Sequence, residues 1–184
     1  MVPIRYLEAV RGILDQLEET QLPAVEAAAD LVVESLSSGG VVYCAHVGHS
    51  NEADFLNRAG GLAAVKPFSY NFGVNSPVPE AYKDRPRPEA FETDLETIRF
   101  ALRASNVRAG DVMLMGSVSG KNRAPVELAL ACRDMGVKTI GFTSLEYTAQ
   151  VESLHPSGKK LCDVADVVID NGAPYGDGAV EIPG

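Results

Sequence analysis

The chain has 184 residues, three cysteines and a formal net charge of -9, with a sequence pI near 4.8. That length gives one well-cored domain and is too short for two ordinary ones. The acidic balance, with Lys and Arg scattered and no basic stripe, argues against a nucleic-acid surface, and no apolar stretch reaches membrane-spanning length.

From Ile4 to about Glu19, Leu7, Val10, Leu14 and Leu17 recur at alternating three- and four-residue steps, which is one apolar seam on a helix. Such a seam either meets another subunit or docks on its own domain. Pro23 is expected to start a second helix through Val25, Val32 and Leu36, stopped by Gly39-Gly40. Val41 to Ala45 is a short continuous apolar run of buried-strand type. It empties into His46-Val47-Gly48-His49-Ser50, followed by a helical stretch to Arg58 that Gly60-Gly61 closes. Ala63-Ala64-Val65 reads as the next strand. Residues 68–90 are rich in Pro, Asn and Ser without a clear period, a long loop or lid. Phe91, Leu95, Ile98 and Leu102 mark another helix. Strand (Val112 to Met115), helix (Pro125 to Met135), strand (Lys138 to Phe142), a short helical or irregular stretch and strand (Val167 to Asp170) follow. Strands alternating with helices predict an α/β fold with a parallel sheet, whose ligands bind at the carboxyl ends of the strands. Cys44, Cys132 and Cys162 sit in apolar or helical contexts at unrelated spacings and read as thiols of a reducing compartment. The N-terminus mixes acidic with apolar residues, unlike a secretion signal, so a cytoplasmic location is expected.

The segment from Met113 to Pro125 is the most informative. An apolar run there opens into Gly116-Ser117-Val118-Ser119-Gly120-Lys121-Asn122 and then directly into a helix. Small residues let a ligand approach the backbone, the hydroxyls of Ser117 and Ser119 donate to oxygens, and the helix's first N–H groups point at the same spot. Pro125 costs no hydrogen bond in a first turn. A phosphate is the expected guest. A nucleotide P-loop does not fit: three residues instead of four separate Gly116 and Gly120, and Asn122 stands where a Ser or Thr would hold magnesium. An ordinary strand-to-helix turn built from cheap turn formers is the competing reading.

Two N-terminal helices, a strand leading to Gly48-His49-Ser50, then Arg58 to Leu62, then Ser117-x-Ser119-Gly120-x-Asn122, resemble a SIS (sugar isomerase) phosphosugar-binding domain. The later runs Thr143-Ser144-Leu145, His155-x-Ser157-Gly158-Lys159, Val164 to Asn171 and Glu181 to Gly184 resemble an uncharacterised bacterial SIS family, distantly related to phosphoheptose isomerase. The resemblance implies a single SIS domain over residues 1–184. Its fold would be a three-layer α/β/α sandwich, flavodoxin- or Rossmann-like, with a five-stranded parallel sheet. A helical pair (residues 1–38) would precede an α/β core (40–184) lacking the usual final helix. It further implies a homodimer or homotetramer that takes a small sugar phosphate, with no cofactor, nucleic acid or membrane. Two features depart from the family pattern. His46 replaces the first glycine of the usual Gly-x-Gly-His-Ser turn, and Asn57-Arg58 occupy the stretch where phosphoheptose isomerases carry a carboxylate base.

Aldose–ketose isomerisation needs a base for the proton alpha to a carbonyl and an acid or dipole for the enediolate oxygen, with a remote phosphate giving orientation. The candidate catalytic residues are Glu52, His155 and His49. For substrate and phosphate the candidates are Gly48, Ser50, Ser117, Ser119, Gly120, Asn122 and Lys159. Glu52 also reads as favourable charge at a helix N-terminus, and His155 as a loop histidine satisfied by backbone. Cys44, His46 and His49 invite a zinc reading, but their spacing matches no standard site, so no metal is expected. A sugar-phosphate isomerase is the leading function; a non-catalytic phosphosugar sensor or accessory subunit is the alternative.

Overall fold

The computed structural model describes residues 2–48, 52–56, 62–86 and 93–181; the side chains of 52, 53, 93 and 94 also lie outside what it describes. Five strands form one all-parallel sheet in the order β2-β1-β3-β4-β5, with β1 Val42–Gly48, β2 Val65–Phe68, β3 Val112–Gly116, β4 Lys138–Thr143 and β5 Val167–Asp170. The helices are α1 Val2–Ser37, α2 Glu52–Leu56, α3 Thr93–Ala104, α4 Arg123–Asp134, α5 Leu145–Ala149 and α6 Leu161–Val164. A single 3-10 turn, Glu80–Tyr82, interrupts the exposed stretch after β2.

Strand alternation sorts the core into two layers. Ala45, Val47, Met113 and Met115 point toward α3, α4 and α6 and pack with Ile98, Leu102, Val126, Leu128, Cys132 and Leu161. Val42, Cys44, Val112, Leu114 and Ile140 face the other way and meet Ala28, Leu31 and Val32 of α1 and Phe55 and Leu56 of α2. β3 is central and buried at every position, which is why its sequence is an unbroken apolar run.

The expected helical pair is instead one helix, Val2–Ser37, with Pro23 inside it. Pro23 removes one intrahelical hydrogen bond. The helix bridges that loss because most of its surface is exposed, where water can reach an orphaned carbonyl, and because its inner face docks on the sheet on both sides of Pro23. Gln21 Oε1 accepts the Asp170 N–H at 2.9 Å, and Ser35 Oγ donates to the Gly110 carbonyl at 2.8 Å.

β1 also runs further than expected. Val42, Tyr43 and Cys44 pair with Val112, Met113 and Leu114, but Gly48 pairs with Gly116, so β1 spends two extra residues between those points. This irregularity carries His46, which is exposed, and delivers the end of β1 to the end of β3.

Candidate functional site

The ends of β1 and β3 nearly touch. Gly48 has φ +71°, and a Cβ there would lie 2.5 Å from the Gly116 carbonyl oxygen and 3.3 Å from Pro125 Cγ. Only glycine allows both the backbone conformation and the approach. The ends of β1 and β3 therefore lie side by side at the carboxyl edge of the sheet. His49 and Ser50 lie outside the described residues, as do Arg58 to Gly61. Glu52 opens α2, but its side chain is likewise outside them.

After Gly116 the chain turns through Ser117 to Asn122 into α4. Four consecutive carbonyls of this loop are tied down from one side. Val118 O accepts the Ser144 N–H (2.9 Å) and the Thr143 hydroxyl (3.1 Å), and Ser119 O accepts the Thr148 hydroxyl (3.1 Å). Gly120 O accepts the Leu161 N–H (2.8 Å), and Lys121 O accepts the Leu154 N–H (2.9 Å). No peptide bond here is cis, so each N–H points opposite to the carbonyl of its own peptide unit. The N–H groups of Ser119, Lys121 and Asn122 are thus turned away from that anchoring side, while the Gly120 N–H closes the turn onto Ser117 O (3.0 Å). Successive N–H groups oriented in this way make an anion-binding nest.

Gly120 takes φ +62°, and a Cβ on it would press against the hydroxyls of Thr143 (3.0 Å) and Thr148 (3.1 Å). Ser117 donates its N–H to Phe142 O at 2.9 Å and is 1% exposed, yet its Oγ has no hydrogen-bond partner among the described residues. A buried hydroxyl in that state costs free energy until a ligand satisfies it. Ser119 is 6% exposed. Asn122 is the N-cap of α4, but its side chain makes no capping bond, and the first turn holds no acidic residue. The positive end of the helix dipole and the unspent amide both remain for a guest. Arg123, the first residue of α4, adds a cation whose Nε and Nη2 are buried; the sequence reading gave it no role.

His155 is held from both sides. Nδ1 accepts the Ser157 N–H at 3.1 Å and lies 2.7 Å from Ser157 Oγ, and Nε2 lies 2.7 Å from Glu127 Oε2. Because Nδ1 accepts, the ring proton sits on Nε2 and is donated to Glu127. Glu127, 4% exposed on α4, also accepts from Arg99 Nε of α3, and Arg99 Nη1 donates to Asp134 at 2.7 Å. The sequence reading missed Glu127 and Arg99. The available signal was a carboxylate inside the apolar stripe Val126-Glu127-Leu128-Ala129. Lys159 is exposed on the loop before α6, whereas its neighbour Lys160 turns inward and donates to the carbonyls of Thr148 (2.6 Å) and Val151 (3.1 Å).

Among the described residues no three His, Cys, Asp or Glu side chains gather to hold a metal ion. Cys44 is buried against the α1 layer, while His46 is exposed. No described helix is long and apolar enough to cross a membrane.

The model of the SIS domain family matches residues 5–144, and the chain, with its five-stranded parallel sheet, belongs to that family. Within it, the chain groups with the UPF0309 proteins. It is 37% identical over 180 residues to the UPF0309 protein of Halalkalibacterium halodurans, covering 96% of this chain and 72% of that protein. It is 35% identical over 185 residues to one from Caldanaerobacter subterraneus subsp. tengcongensis, covering 96% and 71%. Among solved structures, a phosphoheptose isomerase of Neisseria gonorrhoeae matches with TM-score 0.61 at 18% identity, over 95% of this chain and 86% of that one. The sugar isomerase domain of an RpiR transcription factor from Sphaerobacter thermophilus matches with TM-score 0.52 at 18% identity, over 92% and 74%. At that identity the two structures share its fold.

Proposed function

We propose that this chain binds a sugar phosphate at the Ser117–Asn122 nest and isomerises it between aldose and ketose or aminosugar forms. The observation that carries the binding step is the loop itself: four carbonyls tied away from the opening and a buried Ser117 hydroxyl with no partner. Both properties suit a phosphate, whose oxygens only accept. In this reading Ser117, Ser119, Gly120 and Asn122 hold the phosphate, with Ser50 and Lys159 as further contacts. Gly48 ends β1 beside the nest, so His49 and Glu52, which follow it in the chain, are the proposed acid and base. A base must come within about 3 Å of the carbon-bound proton it removes. The protein would act in the cytoplasm as a homodimer or homotetramer.

Family membership supports phosphosugar binding, and the fold shared with phosphoheptose isomerases supports the reaction type. A second reading, a non-catalytic phosphosugar sensor or accessory subunit, gains support from His155, whose two ring nitrogens are already engaged by protein groups.

The test is a thermal-shift screen against sugar phosphates, their unphosphorylated sugars and free phosphate, followed by NMR of each hit in D2O. Stabilisation by one or two sugar phosphates with exchange of a sugar C–H for deuterium supports the isomerase. Stabilisation without exchange supports the binder. No stabilisation across the panel sinks both readings.

A further inference from the structure

Glu127 lies on the second turn of α4 among the fully buried Val126, Leu128 and Ala129. A carboxylate in such surroundings is costly unless it is fully paired. Here Arg99 supplies one partner from α3 and His155 the other from the loop between α5 and α6. The second partner is the informative one. Between Glu152 and Lys160 His155 is the single buried residue; Leu154 is 56% exposed, and Pro156, Ser157, Gly158 and Lys159 are exposed. Upstream of Leu161, whose own side chain is fully buried in the core, the segment has no apolar plug, so the imidazole anchors its Leu154 end. Among the described residues, Lys160 Nζ bonds to the carbonyls of nearby Thr148 and Val151.

That same segment supplies two of the donors that set the nest. Leu154, next to His155, gives its N–H to Lys121 O, and Leu161, at the segment's end, gives its N–H to Gly120 O. Those two carbonyls fix the peptide planes whose N–H groups belong to Lys121 and Asn122. Hydrogen bonds therefore run from Arg99 through Glu127 to His155, and the peptide link to Leu154 carries the path on to Lys121 O in the loop that faces the anion.

We propose that Glu127 is a positioning residue for the anion site: through His155 it holds Leu154, whose N–H orients the Lys121–Asn122 peptide and with it the Asn122 amide. The identity of the anion rests on the phosphosugar reading above; the brace rests on the hydrogen bonds just described.

Glu127→Gln tests it. With its oxygen kept by Arg99, the new amide NH2 meets the His155 Nε2–H donor to donor. Moving the ring proton to Nδ1 would oppose the Ser157 N–H instead. Hydrogen exchange is expected to accelerate about 10-fold at the Leu154 amide, with the Leu161 amide and the β3 and β4 amides unchanged. The dissociation constants for inorganic phosphate and for a stabilising sugar phosphate should rise about 10-fold, with affinity for the unphosphorylated sugar unchanged. His155→Asn should reproduce both effects and carries the test if Glu127→Gln does not fold. The double variant should be no worse than the more severe single one, because both act through one link.

Unchanged exchange at Leu154 overturns the proposal. So does a lowered melting temperature with unchanged phosphate affinity, the signature of a purely structural pair. A wild-type protein that binds inorganic phosphate but no sugar phosphate overturns the phosphosugar reading alone, and the phosphate constants then decide the brace. A wild-type protein that binds neither overturns both.

Discussion

Gly48 stands so close to Gly116 that a Cβ on the first would lie 2.5 Å from the carbonyl oxygen of the second. The two residues are register partners across neighbouring parallel strands, and their contact brings the end of β1 beside the start of the loop after β3. Gly48→Ala must relax both a left-handed backbone and this contact. The expected cost is about 2–4 kcal/mol, read as a lower urea midpoint at unchanged m-value, with loss of ligand-induced stabilisation. A variant with wild-type stability and ligand response would show that the ends of β1 and β3 need not meet.

Ser117→Ala separates stability from binding. Its Oγ is buried without a partner, so removing it relieves an unsatisfied polar group instead of breaking a bond. Stability should stay within about 0.5 kcal/mol of wild type or rise by up to about 1 kcal/mol, while affinity for a stabilising sugar phosphate falls about 5- to 10-fold. Thr148→Val should do the opposite in part. It breaks the bond to Ser119 O and the contact with Thr143, so it should cost about 1–2 kcal/mol of stability as well as affinity. Urea melts paired with titration calorimetry distinguish the two patterns. Equal stability losses in both variants would contradict the idle state of the Ser117 hydroxyl.

The parts of the fold that were legible in the sequence are those where burial leaves no choice. β3 appears as an apolar run because it is central and covered on both faces, and α4 is announced by its Asn122-Arg123-Ala124-Pro125 start. The end of β1 was harder, because His46 is exposed and Gly48 has no side chain, so neither contributes to an apolar pattern. Pro23 suggested a helix start. The seam nevertheless continues from Leu14 and Leu17 through Gln21 to Val25, Ala28 and Val32 without losing phase, and that phase was the better guide. In the site, the small-residue loop was readable because turn geometry is local. The Arg99–Glu127–His155 cluster was not, because it joins three elements whose meeting only the tertiary fold determines.

Asp166 links β4 to the start of β5 and gives the protein an acid-sensitive element. It accepts from the Thr139 N–H (2.9 Å) and hydroxyl (2.8 Å) and pairs with Lys138 (2.9 Å). Burial pushes its carboxyl up, but the hydrogen bonds from Lys138 and Thr139 and the Lys138 charge outweigh it and hold the carboxyl below the usual aspartate range. A depressed folded pKa contributes stability that is present above the unfolded value, about 3.9, and is lost as pH falls through the folded one. Asp166→Asn should therefore be about 1–2 kcal/mol less stable than wild type at pH 7, with the gap narrowing below about pH 4. Urea melts across that range test this, and a gap that widens in acid would contradict it.

The cysteines offer a check on the packing of the α4 layer. Burial first, and then the Asp166 charge, push the Cys132 thiol up to about 12, and the residue is fully enclosed between α4 and the sheet. Cys44 is 1% exposed in the opposite layer. Cys162 is partly exposed on α6, its thiol raised by burial and then by the Asp163 charge and hydrogen bond. Thiolate availability and access both set alkylation rates, so iodoacetamide at about pH 8 should modify Cys162 first and slowly. Cys44 and Cys132 should react only as fast as the sheet opens, and their labelled fraction should follow the urea unfolding curve. Peptide mass spectrometry reads each site separately. Native-state labelling of Cys132 at the Cys162 rate would mean that α4 leaves the sheet without global unfolding, and the nest at its N-terminus would then have no fixed geometry.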